Sequence, residues 1–420
     1  MNKAAGGIVK TYVSLTLLST FASSFIWGIN TLFLLDAGLS ITQAFAANAF
    51  FTAGQVIFEV PTGIVADTRG RRTSFLLGTA TLFIATLAYL WLWRIHGAFW
   101  LWAVVSALLG LGFTFFSGAT EAWLVDGLKA AGYKKDLDGV FAKGAIANGF
   151  AMLTGTVTGG LVAQYANLGV PYILRIVALA GTFAVAFFLM KDDGFTAKNR
   201  SGFLNEVKDV ISETVEFGLK NRAIRWMMLS SIFNGGIAIF GFYAMQPYLL
   251  ELYGDPTSYA VAGVSATIVA GAQIAGGFLV PYVSRLFKRR TTMLVTGLAI
   301  SSSSLLLIGL VGNFWIVLGL LALWALVFSV LGPVRQSYVN GIVPSAQRAT
   351  ILSADNMLTS AGGVISQPTL GKVAEVWGYP SAYLGSAAFQ IIALPFLLLA
   401  RRENAKSDPI KGETGVRATP

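Results

Sequence analysis

Twelve long apolar stretches, separated by short polar segments, recur along the whole of this 420-residue chain. Each stretch has about 20 residues or more, which is the length an α-helix needs to cross roughly 30 Å of hydrocarbon. Only 12% of the residues are charged, whereas soluble domains carry about 25%. We therefore predict an all-α membrane protein with 12 transmembrane helices, near residues 9–35, 42–66, 74–93, 98–126, 144–165, 170–190, 224–250, 258–284, 291–311, 314–340, 350–371 and 381–400.

The distribution of positive charge predicts the orientation of these spans. If the N-terminus lies inside, 26 of the 30 Lys and Arg residues fall in inner segments and two fall in outer loops. The remaining two, Arg175 and Arg335, lie within predicted spans. Because positive residues are retained on the cytoplasmic side, we expect both termini to be cytoplasmic in a multi-pass protein of the plasma membrane, the inner membrane of a prokaryote. The net charge of +10 is explained by this bias and does not indicate a nucleic-acid partner.

The longest inner loop divides the chain into two sets of six spans. We predict a first bundle at 1–190, a cytoplasmic linker at 191–223, a second bundle at 224–402 and a flexible cytoplasmic tail at 403–420. The linker stretch "FLNEVKDVISETVEFGL" places apolar residues at helical spacing opposite a polar face. This pattern predicts an amphipathic helix on the inner membrane surface.

The two halves resemble each other in sequence. Three pairs of segments match in the same order: "RRTSFLLG" from Arg71 with "RRTTMLVT" from Arg289, "GATEAWLVDG" from Gly118 with "GPVRQSYVNG" from Gly332, and "GFAMLTGTVTGG" from Gly149 with "AGGVISQPTLGK" from Ala361. Internal repeats of this kind are typical of transporters whose substrate path lies between the halves. The repeat also inverts charge, because it aligns Asp67 with Arg285, Glu121 with Arg335, and Lys143 with Asp355. We therefore expect the halves to attract each other across a closing cytoplasmic face.

Other classes of membrane protein lack support in the sequence. No Gly-x-x-x-x-Gly-Lys-Ser/Thr loop is present to bind ATP, and no repeated filter sequence indicates a channel. With no cysteine and one histidine, the chain offers little for a catalytic or metal site. We expect a secondary transporter that is not an enzyme and has no catalytic residue, metal or cofactor.

The segment "GIVADTRGRR" concentrates four charges in one turn after the second span. It resembles the Gly-x-x-x-Asp-x-x-Gly-Arg-Arg signature of the major facilitator superfamily, with matches at Gly63, Asp67, Gly70, Arg71 and Arg72. The resemblance covers the whole chain, including the six-plus-six repeat. It implies two pseudo-symmetric six-helix bundles that transport a small molecule by alternating access, and we expect a lipid-embedded monomer.

Two further stretches are similar to the drug:proton antiporter branch of that superfamily. "EVPTGIVAD" resembles the sequences of its members. The ladder of Gly155, Gly159 and Gly160 resembles its Gly-x-x-x-Gly-Pro-x-x-Gly-Gly signature, although Ala151 and Thr156 occupy two of the signature positions. The resemblance implies proton-coupled export of amphipathic, drug-like molecules.

The signature also has a physical interpretation as a cytoplasmic gate. Gly70 permits a positive φ in a tight turn, Gly63 permits a neighbouring helix to approach, and Asp67 is placed to pair with Arg71. A simpler alternative is that these arginines only fix the orientation of the loop. We predict a gate made of Gly63, Asp67, Gly70, Arg71, Arg72, Glu121, Asp126, Lys143, Arg335 and Asp355.

Ionisable residues inside spans are costly and mark candidate functional sites. A Glu121–Arg335 pair would change the pKa of the carboxylate when the pair separates, which makes Glu121 one candidate proton carrier. Glu59 is the other candidate, unless it serves only as a partner for Arg71 or Arg72. We give no transport role to Arg175, which we expect either to pair with Asp36 or to extend outward to the membrane surface.

Aromatic and amide side chains within spans are the candidates for the substrate cavity. They are Trp27, Asn30, Asn234, Phe240, Gln273, Trp324 and Phe328. This composition suits a bulky amphipathic ligand. The alternative function is proton-coupled or facilitative transport or exchange of a small organic anion or metabolite, with Arg335 as the anion ligand.

Overall fold

The protein is described by a computed structural model that covers residues 3–134, 137–197, 208, 212, 214–343 and 348–410. The chain is almost entirely helical. The helices of the first half are α1 (Lys3–Trp27), α2 (Asn30–Asp36), α3 (Ile41–Arg69), α4 (Arg71–Ile95), α5 (Phe99–Thr114), α6 (Ala119–Ala130), α7 (Asp138–Tyr165) and α8 (Val170–Leu189). Those of the second half are α9 (Arg222–Tyr253), α10 (Tyr259–Ser284), α11 (Arg290–Leu310), α12 (Phe314–Asn340), α13 (Arg348–Ile391) and α14 (Ala393–Arg402).

The helices account for the predicted spans. Within the described residues, ten helical segments are long and apolar enough to cross a membrane, and the bent pair α1 and α2 makes an eleventh. One of the ten, Ile351–Arg402, has 52 residues, or roughly 78 Å of helix at 1.5 Å per residue, which is too long for one crossing. Gly378 breaks it with a φ of 82° and divides it into two crossings. The all-α fold with repeated helical halves is therefore confirmed.

Two of the spans are interrupted. A bend of 50° separates α1 from α2 at Gly28 and Ile29. The fourth span is broken between α5 and α6, where four turn residues end at Gly118 with a φ of 65°. Glycine tolerates this left-handed conformation because it has no Cβ. The breaks matter because they free backbone groups that a continuous helix would satisfy.

The chain forms two compact units whose boundaries do not follow the two sequence halves. Unit 1 contains Met1–Lys208, Phe242–Ile268 and Val364–Val376. Unit 2 contains Asp209–Gly241, Val269–Gly363 and Trp377–Pro420. Parts of α9, α10 and α13 thus pack with the first six spans, while the remainder of those helices belongs to unit 2.

An aromatic core holds unit 1 together. Phe33 of α2 is fully buried and stacks on Tyr172 of α8, with the ring centroids 3.9 Å apart. Tyr89 of α4 and Trp102 of α5 pack edge to face at 4.9 Å. In unit 2, an aliphatic core joins α9, α11, α12, α13 and α14. These cores fix the positions of the polar side chains between the helices.

The predicted linker and tail are only partly covered by the described residues. Most of the predicted amphipathic helix at 203–219 lies outside them, and its last residues, Thr214–Leu219, form a short π-helix. The first part of the predicted flexible tail is packed against unit 2. Asp408 is 1% exposed, and its backbone oxygen accepts a hydrogen bond from Arg290 N at 2.8 Å. Residues 411–420 lie outside the described residues.

Candidate functional site

The signature turn is built around Gly70, which joins α3 to α4. Gly70 has a φ of 101°, a conformation that residues with a Cβ rarely adopt. A Cβ at this position would also lie 2.2 Å from Oδ2 of Asp192, which follows α8. The other carboxylate oxygen of Asp192 accepts a hydrogen bond from Arg72 N at 2.9 Å. Gly70 is therefore required both by the turn and by the carboxylate that caps α4.

The charged residues of the signature bind one another and the neighbouring backbone. Arg71 Nη2 lies 2.6 Å from Asp67 Oδ1, as the sequence predicted. Arg72 donates from Nη2 to the backbone oxygen of Phe187 at 2.8 Å, and its guanidinium lies over the Phe187 ring at 5.3 Å. A Cβ at Gly63 would meet no described atom within 4 Å, so the close helix approach expected there is not seen, and the place of Gly63 in the gate stays a prediction.

The carboxylate cap is repeated in unit 2, at the segment that aligns with the signature. Thr291 at the start of α11 donates from its backbone N to Asp408 Oδ1 at 2.8 Å and from Oγ1 to Oδ2 at 3.0 Å. Sequence analysis missed Asp192 and Asp408, although each is an aspartate shortly after the last span of its half. Burial raises the pKa of Asp192, against the opposing effects of the Arg72 N–H and the charges of Arg72 and Arg71.

The two candidate proton carriers of unit 1 lie on neighbouring segments near the broken fourth span. Ser117, in the break, donates a hydrogen bond to Glu59 Oε1 at 2.7 Å. Glu121 is exposed in the first turn of α6. The alternative in which Glu59 pairs with Arg71 or Arg72 is not seen, because neither arginine forms an ion pair or hydrogen bond with Glu59 among the described residues. Proton transfer by Glu59 or Glu121 stays a prediction.

Glu121 borders a surface cavity of about 410 Å³ beside the signature turn. The cavity is lined by Arg71, Glu121, Ala122, Val125, Asp126, Phe195 and Thr196. Lys143 on α7 is exposed. Both Glu121 and Lys143 are described, and no ion pair within 4 Å joins them. The residues of unit 2 that align with them, Arg335 and Asp355, do form an ion pair.

Unit 2 contains a larger polar cavity of about 450 Å³. Its walls come from α9, α11, α12, α13 and α14. The polar lining residues are Ser230, Ser231, Asn234, Ser301, Arg335, Gln336, Asp355, Asn356, Thr359 and Gln390, and the apolar ones include Leu294, Leu298, Phe328 and Leu331. The predicted residues Asn234, Phe328, Arg335 and Asp355 therefore come together here.

A bidentate ion pair forms one wall of this cavity. Arg335 Nη1 donates to Asp355 Oδ2, and Nη2 donates to Asp355 Oδ1 at 2.6 Å. Nη2 also reaches Met227 O at 3.0 Å. Ser231 Oγ lies 3.0 Å from Asp355 Oδ1 and 2.6 Å from Met228 O, so its single hydrogen is shared between these two acceptors. Asp355 is 3% exposed, so this carboxylate depends on its partners. Arg335 thus has a partner within unit 2, and its predicted pairing with Glu121 stays a prediction.

The other predicted cavity residues of the second half lie in packed surroundings. Phe240 is fully buried beside Tyr383, with the ring centroids 6.3 Å apart. Trp324 is 2% exposed, stacks on Phe328 at 6.3 Å, and its Nε1 has no hydrogen-bond partner among the described residues. Gln273 uses its backbone oxygen to accept a hydrogen bond from Ser329 Oγ. Of these residues, Phe328 faces the cavity.

Trp27 and Asn30 flank the break in the first span, where Gln246 replaces missing helical hydrogen bonds. Gln246 is 1% exposed, donates from Nε2 to Trp27 O at 2.7 Å and accepts from Thr31 N at 2.9 Å. Asn30 accepts from Tyr172 Oη at 2.9 Å. Sequence analysis missed Gln246, because a single glutamine in an apolar stretch does not reveal which helix it will reach.

Further contacts within unit 1 join the first six spans to segments of the second half at the end opposite the signature turn. Glu375 of α13 accepts from Ser40 Oγ at 2.7 Å and from Thr42 N at 2.8 Å, so it caps the start of α3. Gly160 of α7 and Gly263 of α10 pack backbone to backbone, since a Cβ at either would lie 2.7 Å from the Cα of the other. These contacts close that end of unit 1.

Arg175 does not have the surroundings expected from the sequence. It is 2% exposed, and its Nε donates to Thr86 Oγ1 at 3.0 Å while Nη1 donates to Ala22 O at 3.3 Å. It therefore neither extends to the membrane surface nor pairs with Asp36. Asp36 instead accepts from Trp93 Nε1 at 2.7 Å.

Comparison with known proteins agrees with this architecture. The family model of the Major Facilitator Superfamily matches residues 12–285 and 257–419, and the chain belongs to this family. A search of curated proteins found no match. The protein is accordingly a membrane transporter and not an enzyme.

Solved transporters share the fold at low sequence identity. The nucleoside transporter NupG is 15% identical, with 95% of this chain and 99% of that chain covered and a TM-score of 0.73. A bacterial homolog of the human lysosomal transporter Spinster, in an inward-facing and occupied conformation, is 14% identical over 98% and 100%, with a TM-score of 0.74. A POT family transporter in complex with a thioalcohol-conjugated peptide is 13% identical over 95% and 96%, with a TM-score of 0.72.

Proposed function

We propose that this protein is a proton-coupled secondary transporter of a small polar organic solute, most simply an organic anion. The observation that carries the proposal is the cavity of about 450 Å³ in unit 2, where the Arg335–Asp355 pair is surrounded by amides and hydroxyls. Small-molecule sites of this size combine an apolar lining with a few convergent polar groups that fix orientation. The nucleoside and peptide transporters of the same fold also act on polar solutes.

The ion pair offers a means of coupling. Arg335 is held by both oxygens of Asp355, which leaves its positive charge neutralised while the carboxylate is ionised. If Asp355 takes up a proton, the guanidinium becomes available to an anionic substrate, because a protonated carboxyl group no longer offers a charge partner. Glu59 and Glu121 are the alternative proton carriers in unit 1, and orientation of both termini to the cytoplasm remains part of the proposal.

Export of amphipathic drug-like molecules is the second candidate function. Phe328 is 41% exposed and faces the same cavity, with Trp324 stacked behind it. An aromatic wall of this kind accepts flat apolar ligands. The resemblance of "EVPTGIVAD" and of the Gly155, Gly159 and Gly160 ladder to the antiporter branch favours the same substrate class.

Proton movement in proteoliposomes tests both candidates in one assay. The full chain is reconstituted with a trapped pH dye and challenged with organic anions, neutral polar solutes, neutral drugs and amphipathic cations. We expect proton flux with organic anions, and its loss in Asp355→Asn. Asp255→Asn, in the exposed loop between α9 and α10, is the matched control and should retain the flux.

Each substitution tests a different candidate for the residue that carries the proton. Loss of flux in Glu59→Gln or Glu121→Gln, with Asp355→Asn unaffected, would move the coupling site to unit 1. Flux driven by cations or neutral drugs, and absent with anions, would replace the first candidate by drug export. Substrate uptake without proton movement would show a facilitator and contradict the coupling.

A further inference from the structure

Arg175 lies in the interior of the first six spans, where it contacts three other helices. Its Nε binds Thr86 of α4, its Nη1 binds the backbone oxygen of Ala22 in α1, and its Cζ lies 5.9 Å from the centre of the Phe113 ring in α5. With 2% of its surface exposed, the guanidinium is shielded from bulk solvent. It therefore has to be stabilised by what lies next to it.

The protein does not supply a negative charge at this position. Thr86 and Ala22 offer neutral oxygens, and no Asp or Glu in the described part of the chain lies within 4 Å of the guanidinium. Arg carries five N–H donors, and Nη2 makes no hydrogen bond to a described residue. A buried cation costs several kcal/mol unless it is paired, and inside a membrane such groups face a partner or a substrate path.

The neighbouring polar groups add donors and no negative charge. Tyr172 lies three residues before Arg175 on α8, so the two side chains share one face of that helix. Tyr172 donates to Asn30, which in turn donates to Asn48 Oδ1 at 3.0 Å. The cluster ends at Asn48 Nδ2, which is buried and has no acceptor among the described residues. The cluster thus carries a net positive charge and unfilled donors.

We propose that Arg175 is the binding residue of an anion site inside unit 1, and that its ligand is a small monovalent anion, namely the carboxylate of an organic acid or an inorganic anion of the same charge. An anion supplies both the missing charge and acceptors for the free N–H groups, and hydrogen bonds between charged partners are about twice as strong as neutral ones. The Phe113 ring, whose centre lies 5.9 Å from Arg175 Cζ, is the aromatic neighbour of the guanidinium. The choice of a carboxylate rests on the proposed organic-anion function, whereas the anion site itself does not.

Thermal unfolding of the purified full chain in detergent tests the site without transport. Sodium benzoate is the organic probe, benzamide is its neutral analogue, and sodium chloride is the inorganic probe, all added to a buffer of low anion content. A ligand that binds only the folded state raises Tm in a concentration-dependent way. We expect benzoate to give a saturable rise and benzamide to give none.

Variants of Arg175 test whether the rise of Tm with benzoate depends on this residue. Arg175→Gln should abolish the benzoate effect, and Arg175→Lys should weaken the apparent affinity about tenfold, because lysine keeps the charge and loses the planar donor pair. Arg94→Gln removes an exposed arginine of α4 and is the matched control, which should respond as the wild type does. The lysine variant keeps the test decisive if the glutamine variant does not fold.

Each outcome decides the proposal. A chloride effect of the same size that also requires Arg175 supports the anion site and identifies an inorganic ligand. Equal protection by benzamide, an unchanged benzoate effect in both Arg175 variants, or the absence of protection by either anion would overturn the site. Protection through Arg175 without any anion transport would refute the proposed function and leave the site intact.

Discussion

Arg175 and Arg335 are the two arginines that the charge distribution assigned to membrane spans, and they differ in whether a carboxylate binds them. Arg335 lines an accessible cavity and is held by both oxygens of Asp355. Arg175 is more deeply buried and binds only neutral oxygens. The difference teaches that the chain neutralises one of these arginines with its own carboxylate, while the other has no acidic partner among the described residues.

The comparison extends to the aligned charges of the two halves. Arg335 and Asp355 form a bonded pair in unit 2, while their mates, Glu121 and Lys143, are exposed and make no ion pair with each other among the described residues. Charge inversion between the halves has therefore not produced the same contact twice. One half holds its pair within the bundle, and the other exposes both charges on the surface of unit 1.

The largest expected effect on stability comes from removing the acidic partner of Arg335. Arg335 would then lack a carboxylate, as Arg175 does now. Asp355→Asn removes the only carboxylate found to pair with Arg335 in the described chain and leaves the arginine, whose side chain is 24% exposed, without its charge partner. We expect a loss of about 1.5–3 kcal/mol of unfolding free energy, measured by denaturant unfolding in detergent. The double substitution Arg335→Gln with Asp355→Asn should recover most of this loss, and a double variant as unstable as the single one would contradict a balanced pair.

The second prediction concerns removal of Arg175, the arginine that has no acidic partner among the described residues. Arg175→Gln deletes two hydrogen bonds and also removes a buried charge that has no carboxylate partner, so we expect a net loss below about 1 kcal/mol in anion-free buffer, smaller than for Asp355→Asn. The same unfolding assay compares the two variants directly. A loss as large as that of Asp355→Asn would indicate that Arg175 has an acidic partner after all.

Supplying Arg175 with a carboxylate should make it resemble Arg335. Thr86→Asp places an acidic group where the hydroxyl now accepts from Arg175 Nε at 3.0 Å. We expect stability in anion-free buffer to be kept and the rise of Tm with benzoate to disappear, because the internal carboxylate competes with the ligand. Thr86→Val is the control of similar size, and it should still respond to benzoate.

Among changes at the Arg335–Asp355 pair, the smallest effect on stability concerns one hydrogen bond accepted by Asp355, the acidic partner of Arg335. Ser231→Ala removes the hydroxyl that donates to Asp355 Oδ1 at 3.0 Å, with Arg335 still in place. We expect a loss of about 1 kcal/mol, because two other donors remain on the carboxylate. A loss comparable to that of Asp355→Asn would show that Ser231, and not Arg335, is the main partner of the acid.

Much of the fold could be predicted because it follows from local patterns. The length of the apolar stretches fixes helices that cross a membrane, and Gly70 marks a turn that needs a positive φ. The pairing of Asp67 with Arg71 was also predictable, since residues four positions apart lie on the same face of a helix. Family membership followed from the same signature and is confirmed by the match to residues 12–285 and 257–419.

The partners of buried polar groups could not be predicted in this way. Arg335 reaches a carboxylate 20 residues away, and Arg175 reaches a hydroxyl 89 residues away. Gln246 binds the backbone of a break more than 200 residues earlier in the chain. Such contacts depend on which faces of distant helices meet. In spans that are apolar on every side, the spacing of apolar residues does not indicate which face packs against another helix.

The sequence by itself thus determined the membrane class, the repeated helical halves, the signature turn and the family. These features arise from hydrophobic length and from local backbone chemistry, which act within a few turns of helix. Only the tertiary structure decided that Arg335 is neutralised, that Arg175 is not, and that Asp192 and Asp408 cap matching helices. The physical reason is that charge compensation in a low-dielectric interior depends on distances of a few ångströms between helices that packing alone brings together.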